Sequence, residues 1–419
     1  MKKLLILLFL FSVVSVVWAQ ESKLKSDAQS GFAKFDLKCN VDLADENLGF
    51  DVRCCDLSNK DLSGLNEQII LKYITFDDKT IWPKGGKMPK WLNPQRIMQT
   101  GKTPGLNIRE LHGKGITGKG VSIAIIDQSL GKHAEYQDRL RFYKDMAKSG
   151  SWASMHGAAV ASIALGKTVG VAPEADLYYI SSRFEEGEDG KFNAGPEADA
   201  IKEILEINKS LPSGQKIAVI SISRGFNDSD SNRKEYLDVI KKAKEQNIAV
   251  LTSKNVVSIS RGGYDADTDK RSAYTLLSDW IWEYGGINNF NSRIWTPAGY
   301  RIIASPTGYN DFVAYGGAGS SSWAVPYYAG LYALAKQVYP ALTADVFEEA
   351  VRATSSTAKI KSVSGDKEGE VKYFINPTTL IEYFQKKAGA NKAKTKDMHN
   401  KMINDINSSL KQKMQELTD

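Results

Sequence analysis

Residues 105–385 predict an α/β fold in three layers, a mostly parallel central sheet flanked by helices. Three observations carry this. Short runs of β-type apolar residues recur at 121–126, 177–180, 217–222 and 248–251. Helical spacing fills the intervals at 156–166, 197–208 and 234–246. The runs are apolar at nearly every position, which suits strands buried on both faces. Strands alternating with helices pair in parallel through crossover connections. Such sheets place their sites at the carboxyl ends of the strands.

The elements follow in order. The first run closes on Asp127, a charge that is costly to bury unless something compensates it. Residues 156–166 are nearly all small after His156, so this helix can lie close against a sheet. Between 197 and 208, Ala200, Ile201, Ile204 and Leu205 mark one helix face. Residues 234–246 are amphipathic. A serine run, Ser320-Ser321-Ser322, stands just before a further helix with Pro326 in its first turn, where proline is tolerated.

The rest of the chain is less regular. With 419 residues, 42% hydrophobic and 25% charged, the composition is that of a globular protein and excludes a disordered, collagen-like or polytopic membrane chain. Residues 1–19 read as a secretory signal: Lys2 and Lys3, an apolar run too short to span a bilayer comfortably, then Val17-Trp18-Ala19. The protein is therefore expected to be secreted or held at the cell envelope. Residues 20–104 form an N-terminal extension with strand-like pieces, ending in a Pro/Gly/Lys-rich linker at 83–104. It is expected either to be removed as a propeptide or to stay as a permanent domain. Residues 386–419 form a basic tail in which Met398, Met402, Ile406, Leu410 and Met414 recur at helical spacing. This tail would dock on its own protein or contact an anionic envelope surface.

Net charge is +6, from 55 basic and 49 acidic residues. The tail alone holds eight Lys and four acids, and without tail and leader 45 of each sign remain. No basic footprint for nucleic acid follows. The three cysteines, Cys39, Cys54 and Cys55, cluster early. Export permits a disulfide from Cys39 to Cys54 or Cys55, with one thiol left over. Free or buried thiols are the competing reading, and a zinc site fits poorly without a nearby His.

Four histidines, His112, His133, His156 and His399, limit the choice of a general base. His156 opens a helix, Asp127 could orient an imidazole, and a serine at a helix N-terminus gains from the dipole and from free N–H groups. Each feature alone has a structural reading, as a capping or buried polar group.

Together the motifs resemble the subtilisin-like serine peptidases. Gly118-Lys-Gly-Val-Ser-Ile-Ala-Ile-Ile-Asp127 is similar to that family's aspartate strand, with His133 following. His156-Gly157 is similar to its histidine helix, and Ile220-Ser-Ile-Ser223-Arg224-Gly225 to its substrate-binding strand. Ser322-Trp-Ala-Val-Pro326 is similar to its serine motif. The order Asp–His–Ser is also the family's. The likeness runs from about 105 to 385. It implies a subtilisin-like fold and catalysis of peptide hydrolysis by Asp127, His156 and Ser322. It further implies an oxyanion donor at Asn255 and polypeptide substrates laid along Ser223, Arg224 and Gly225.

Departures stand beside it. Gln128-Ser129 follow the aspartate, Ala158 follows His-Gly, and Ser320-Ser321 precede the serine where the family has Gly-Thr. Such departures suit the alternative of an inactive pseudoprotease that serves as a binding or scaffold module. An α/β-hydrolase is disfavoured, since no Gly-x-Ser-x-Gly elbow is present and the chain order is wrong. No cofactor is required and no metal ligand set is assigned, although the resemblance admits calcium. Asp265, Asp267 and Asp269 alternate like the opening of a calcium loop. They lack the later Gly and Glu of an EF-hand, and a solvated acidic turn fits them better.

Overall fold

Five parallel strands form the central sheet: β2 (Ser122–Asp127), β3 (Leu140–Asp145), β4 (Asp176–Ser181), β5 (Ile217–Ile222) and β6 (Ala249–Thr252). Their spatial order is β3-β4-β2-β5-β6. The computed structural model describes residues 27, 29, 31–33, 51–66, 74–148, 153–183, 185, 190–264, 266–276, 281, 286–317, 320–362, 365–392 and 402–403. The leader at 1–19, Cys39, Asp265 and the tail beyond 392, apart from 402–403, lie outside the described residues.

Residue alternation explains the three layers. Ile123, Ile125, Leu177 and Tyr179 face one core, shared with helices α3 (Met155–Leu165) and α6 (Ser320–Val338). Ala124, Ile126, Tyr178 and Ile180 face a second core, shared with α4 (Gly195–Ser210) and α5 (Arg233–Glu245). Both faces are dry, which is why these strands read as unbroken apolar runs. The α/β expectation therefore holds, with helix layers on either side of a parallel sheet.

The chain reverses its direction of growth at β2. It places β3 and β4 on one side of that strand, then crosses over to β5 and β6 on the other. Register aligns Asp127 with Ser181 and Ile126 with Ile222. Asp127 thus stands at the carboxyl end of the middle strand, where parallel sheets open a crevice.

Two smaller sheets complete the body. One has the order β12 (Ser356–Lys361), β13 (Glu368–Phe374), β9 (Ile294–Pro297), β7 (Val256–Arg261) and β8 (Tyr274–Thr275). The other is antiparallel: β1 (Phe76–Asp77), β11 (Phe312–Tyr315) and β10 (Arg301–Ala304). Residues 377–392 form a closing helix, α8, that buries Leu380, Ile381 and Phe384. Helices α2 (Ile108–Gly113) and α7 (Ala344–Thr354) cover the ends.

The stretch 83–104, which reads as a linker, carries a helix, α1 (Pro94–Thr100). Its N-cap Asn93 accepts the Arg96 N–H at 2.9 Å and Pro94 starts the first turn, the usual place for proline. Cys55 is disulfide-bonded. Cys54 is a free thiol that donates to Asp77 Oδ2 at 3.1 Å, and burial together with that carboxylate pushes it up to about 12. It is therefore not a reactive thiol near neutral pH.

Helices α3 and α6 pack through small side chains. Every residue from Gly157 to Leu165 is buried. A Cβ at Gly330 of α6 would lie 2.6 Å from Val171 Cβ and 2.8 Å from Ala164 O. Gly330→Ala is expected to cost about 1–3 kcal/mol by overpacking. Urea unfolding should show this as a lower midpoint at unchanged slope.

Candidate active site

The peptide chain brings Asp127 and His156 together through two local devices. Ser154 caps α3, its hydroxyl accepting the His156 N–H at 3.1 Å. The Ser154 hydroxyl also donates to Gln128 Oε1, and the Gln128 N–H donates to Asp127 Oδ1 at 2.8 Å. The residue after the histidine is necessarily small. A Cβ at Gly157 would meet Ser129 O at 2.6 Å, Tyr179 Oη at 2.7 Å and Gln128 O at 2.8 Å. The helix start therefore rests directly on the backbone that follows Asp127.

In that arrangement His156 Nδ1 donates to Asp127 Oδ1 at 2.5 Å. The Asp127 side chain is only 3% exposed. Burial presses the imidazole toward its neutral form, and the Asp127 charge and hydrogen bond outweigh this, leaving His156 raised above its ordinary value. With Nδ1–H held by the carboxylate, Nε2 is the nitrogen left to accept a proton. The other described histidines serve backbone groups. His112 Nε2 donates to Val171 O at 2.8 Å, and His133 Nε2 donates to Asp311 O at 2.7 Å. Both are lowered by burial.

Ser322 lies in the first turn of α6, which begins at Ser320, three residues earlier than the sequence suggests. Pro326 accordingly sits inside the helix instead of in its first turn. Proline has no N–H, so it cannot supply the helical bond to the carbonyl four residues back. That carbonyl belongs to Ser322, and the Ser223 hydroxyl donates to it at 2.9 Å. In return the Ser322 hydroxyl donates to Ser223 O at 3.5 Å. The end of β5 and the start of α6 are thereby tied at one serine pair. Ser322 is not hydrogen-bonded to His156. Trp323, the next residue, instead lies against the imidazole with ring centroids 5.1 Å apart.

Ser320 takes φ 45°, a left-handed conformation that costs a residue with a side chain roughly 1–2 kcal/mol. Its hydroxyl accepts the Ser322 N–H at 3.4 Å. The absence of glycine at this turn is thus met by strain and a local hydrogen bond.

Asn255 follows the end of β6, on the same edge of the sheet. Its Oδ1 accepts the Thr252 N–H at 2.8 Å and the Thr252 hydroxyl at 3.3 Å. The Asn255 N–H donates to Thr252 O at 3.0 Å. With the amide oxygen fixed this way, the NH₂ group is the end left to donate.

Arg224 does not project as a substrate-facing cation. Its guanidinium is buried, donating to Glu197 Oε1 at 2.8 Å and lying near the rings of Phe192 and Phe226. Burial pushes Glu197 up to about 7 against the pull of Arg224. The Arg224 carbonyl is used by the Ser253 N–H at 3.1 Å. Gly225 lies close to Lys254 and Ser253, 2.8 Å from where a Cβ would stand.

The two described acids of the alternating Asp265, Asp267 and Asp269 run have other partners. Asp267 pairs with Lys270 at 3.0 Å, and Asp269 accepts the Asn107 N–H at 2.7 Å. Among the described residues no group of three His, Cys, Asp or Glu could hold a metal.

The sequence marks Gln128 only as a departure from the family pattern, and gives no role to Ser154 or Trp323. The signal for the Ser223 tie was present, since Pro326 stands four residues after Ser322. Gln128 and Trp323 carry no such mark.

The pair on α4 and β5 gives a stability test. Glu197→Ala removes the carboxylate paired with the buried Arg224 guanidinium and is expected to cost about 3–5 kcal/mol in urea unfolding. Glu197→Gln, which keeps an acceptor at that place, should cost less.

Residues 118–277 match the family described as the Subtilase family. Ser322 lies beyond the matched segment. No curated protein matches the chain. Three solved structures illustrate what it is similar to. The prenylagaramide maturation protease PagA is 16% identical with a TM-score of 0.46, over 66% of this chain and 98% of that one. A protease from Pseudoalteromonas arctica is 19% identical with a TM-score of 0.48, over 67% and 94%. The subtilase cytotoxin SubAB is 16% identical with a TM-score of 0.48, over 68% and 96%. The match to the Subtilase family model thus extends over residues 118–277 of the 419.

Proposed function

We propose that this protein is a secreted serine endopeptidase, exported by the signal at 1–19, that hydrolyses polypeptides through Asp127, His156 and Ser322. The observation that carries the proposal is the 2.5 Å bond from His156 to the buried Asp127, at the sheet edge where α6 presents Ser322.

In this mechanism the Ser322 hydroxyl leaves Ser223 O and turns to His156 Nε2. Oγ attacks the peptide carbonyl while Nε2 takes its proton, and Asp127 stabilises the imidazolium. The carbonyl oxygen, now negative, is held by the Ser322 N–H, released from Ser320, and by the Asn255 amide. Losing one such donor typically costs about 10²–10³ in rate. The C–N bond then breaks, the amine leaves with the proton from Nε2, and water hydrolyses the acyl-enzyme by the same route in reverse. A substrate strand along Ser223 and Gly225 would use main-chain hydrogen bonds. The Arg224 side chain takes no part in this.

The alternative, an inactive binding module, draws on two observations. The Ser322 hydroxyl is turned to Ser223, and the Ser322 N–H is occupied by Ser320. Against it, hydrogen bonds of the catalytic groups are often loose before substrate binds.

A serine-reactive fluorophosphonate is expected to label the folded wild type and to fail with Ser322→Ala and His156→Ala. Folded wild type that stays unlabelled would instead support the inactive module. The pH profile gives a second check. His156 must be neutral to accept the proton and its pKa is raised, so activity should climb with pH through a midpoint above the ordinary histidine value of about 6.5. Asp127→Asn should move that midpoint down and reduce kcat by roughly 10⁴.

A further inference from the structure

We propose that residues 51–104 are a permanent part of the working protein and not a removable inhibitor, and that Thr75 within them positions the end of β11, six residues before Ser322. The second half rests on the peptidase reading above; the first does not.

An inhibitory prosegment docks on a surface that is complete without it. This segment instead completes the core. Val52, Ile74, Phe76 and Ile97 share one buried cluster with Tyr300 and Ile302 of the region around β10. Tyr300 is 0% exposed and Ile302 1%. Strand β1 is also a member of a sheet, with Phe76 opposite Ala314 and Asp77 opposite Val313 on β11. Removing it would bare the β11 edge and uncover large apolar side chains, which a soluble fold avoids.

The junction is closed to processing. Cleavage needs an exposed, loosely held backbone. Gly101, Pro104 and Gly105 are buried. The buried guanidinium of Arg261 donates to Gly101 O at 3.2 Å and to Thr103 O, and the Ile302 N–H donates to Gly101 O at 3.2 Å. Among the described residues, no hydrogen bond from 51–104 reaches Asp127, His156 or Ser322.

Its reach toward the nucleophile is from behind. The Gly316 N–H donates to Thr75 Oγ1 at 3.2 Å. A Cβ at Gly316 would lie 2.2 Å from Ile74 O, so the two backbones are in contact there. Ile74 O is itself fixed by the Tyr264 hydroxyl at 3.0 Å. Gly316 stands six residues before Ser322. Tyr315 meets Trp323 edge-on at 5.4 Å, and Trp323 lies against His156 at 5.1 Å. Thr75 thus holds the end of β11, from which Tyr315 and Trp323 form an aromatic wall that reaches the imidazole.

Two measurements test this. N-terminal sequencing and intact mass of the exported, folded full-length product should give a start upstream of residue 51. A folded product that begins anywhere beyond residue 51 overturns permanence. Fluorophosphonate labelling rates should fall about fivefold in Thr75→Val, consistent with loss of one hydrogen bond, and return in Thr75→Ser, with the urea midpoint of both close to wild type. Equal rates for Thr75→Val and wild type overturn the positioning role. A wild type that never labels ends the peptidase reading and the positioning role together, while the start site still decides permanence.

Discussion

A single buried carboxylate organises this molecule. Asp127 ends the middle strand of a sheet that is dry on both faces, and a charge so placed has to be met by donors. The His156 imidazole and the Gln128 N–H meet it. Meeting it requires α3 to start on top of the 128–129 backbone, which Gly157 permits and a larger residue would not. The same close approach explains why α3 is built of alanine and other small residues, and why α6 faces it with Gly330. The sheet edge, the helix start and the imidazole are consequences of one electrostatic demand satisfied at short range.

The serine is held by a different logic. A proline inside α6 leaves one carbonyl without its helical donor, and that carbonyl is the one at Ser322. A hydroxyl at the end of β5 fills the vacancy. Strand and helix, already packed in one core, are therefore also tied by hydrogen bonds at the residue proposed to react. The left-handed Ser320 beside it stores strain that glycine would not, and its hydroxyl offsets part of that cost by accepting the Ser322 N–H. Strained backbone at a helix entrance, tied on both sides, suits a group that has to be presented in one orientation.

Behind these two devices stands a body of three cores. The parallel sheet supplies two of them. The third joins the N-terminal extension to β10 and β11, and two buried arginines mark its border with the second sheet. Arg261 is satisfied by carbonyls of the 101–103 stretch. Burial and the neighbouring Arg261 push Arg301 down to about 9. Cations buried this deeply are costly unless the surrounding dipoles are fixed, which is a further sign that the extension and the body are cooperative parts of one fold.

Much of this was legible in the residues alone. Unbroken apolar runs announced strands covered on both faces, and their alternation with helices announced parallel pairing. The likeness of the segments around Asp127, His156 and Ser322 to the subtilisin-like peptidases implied that the three share one site. The sequence could not reveal that Arg224 turns inward to Glu197, since a charge next to a strand end reads as exposed until its partner on another element is seen. Nor could it place β3 or the role of 83–104, whose polar and proline-rich composition resembles a linker. Local chemistry is written in short-range patterns of hydrophobicity, proline and glycine. Which carbonyl, carboxylate or aromatic face each group meets depends on residues of other elements, 29 positions away for Asp127 and His156 and 99 for Ser223 and Ser322, and only the assembled layers decide it.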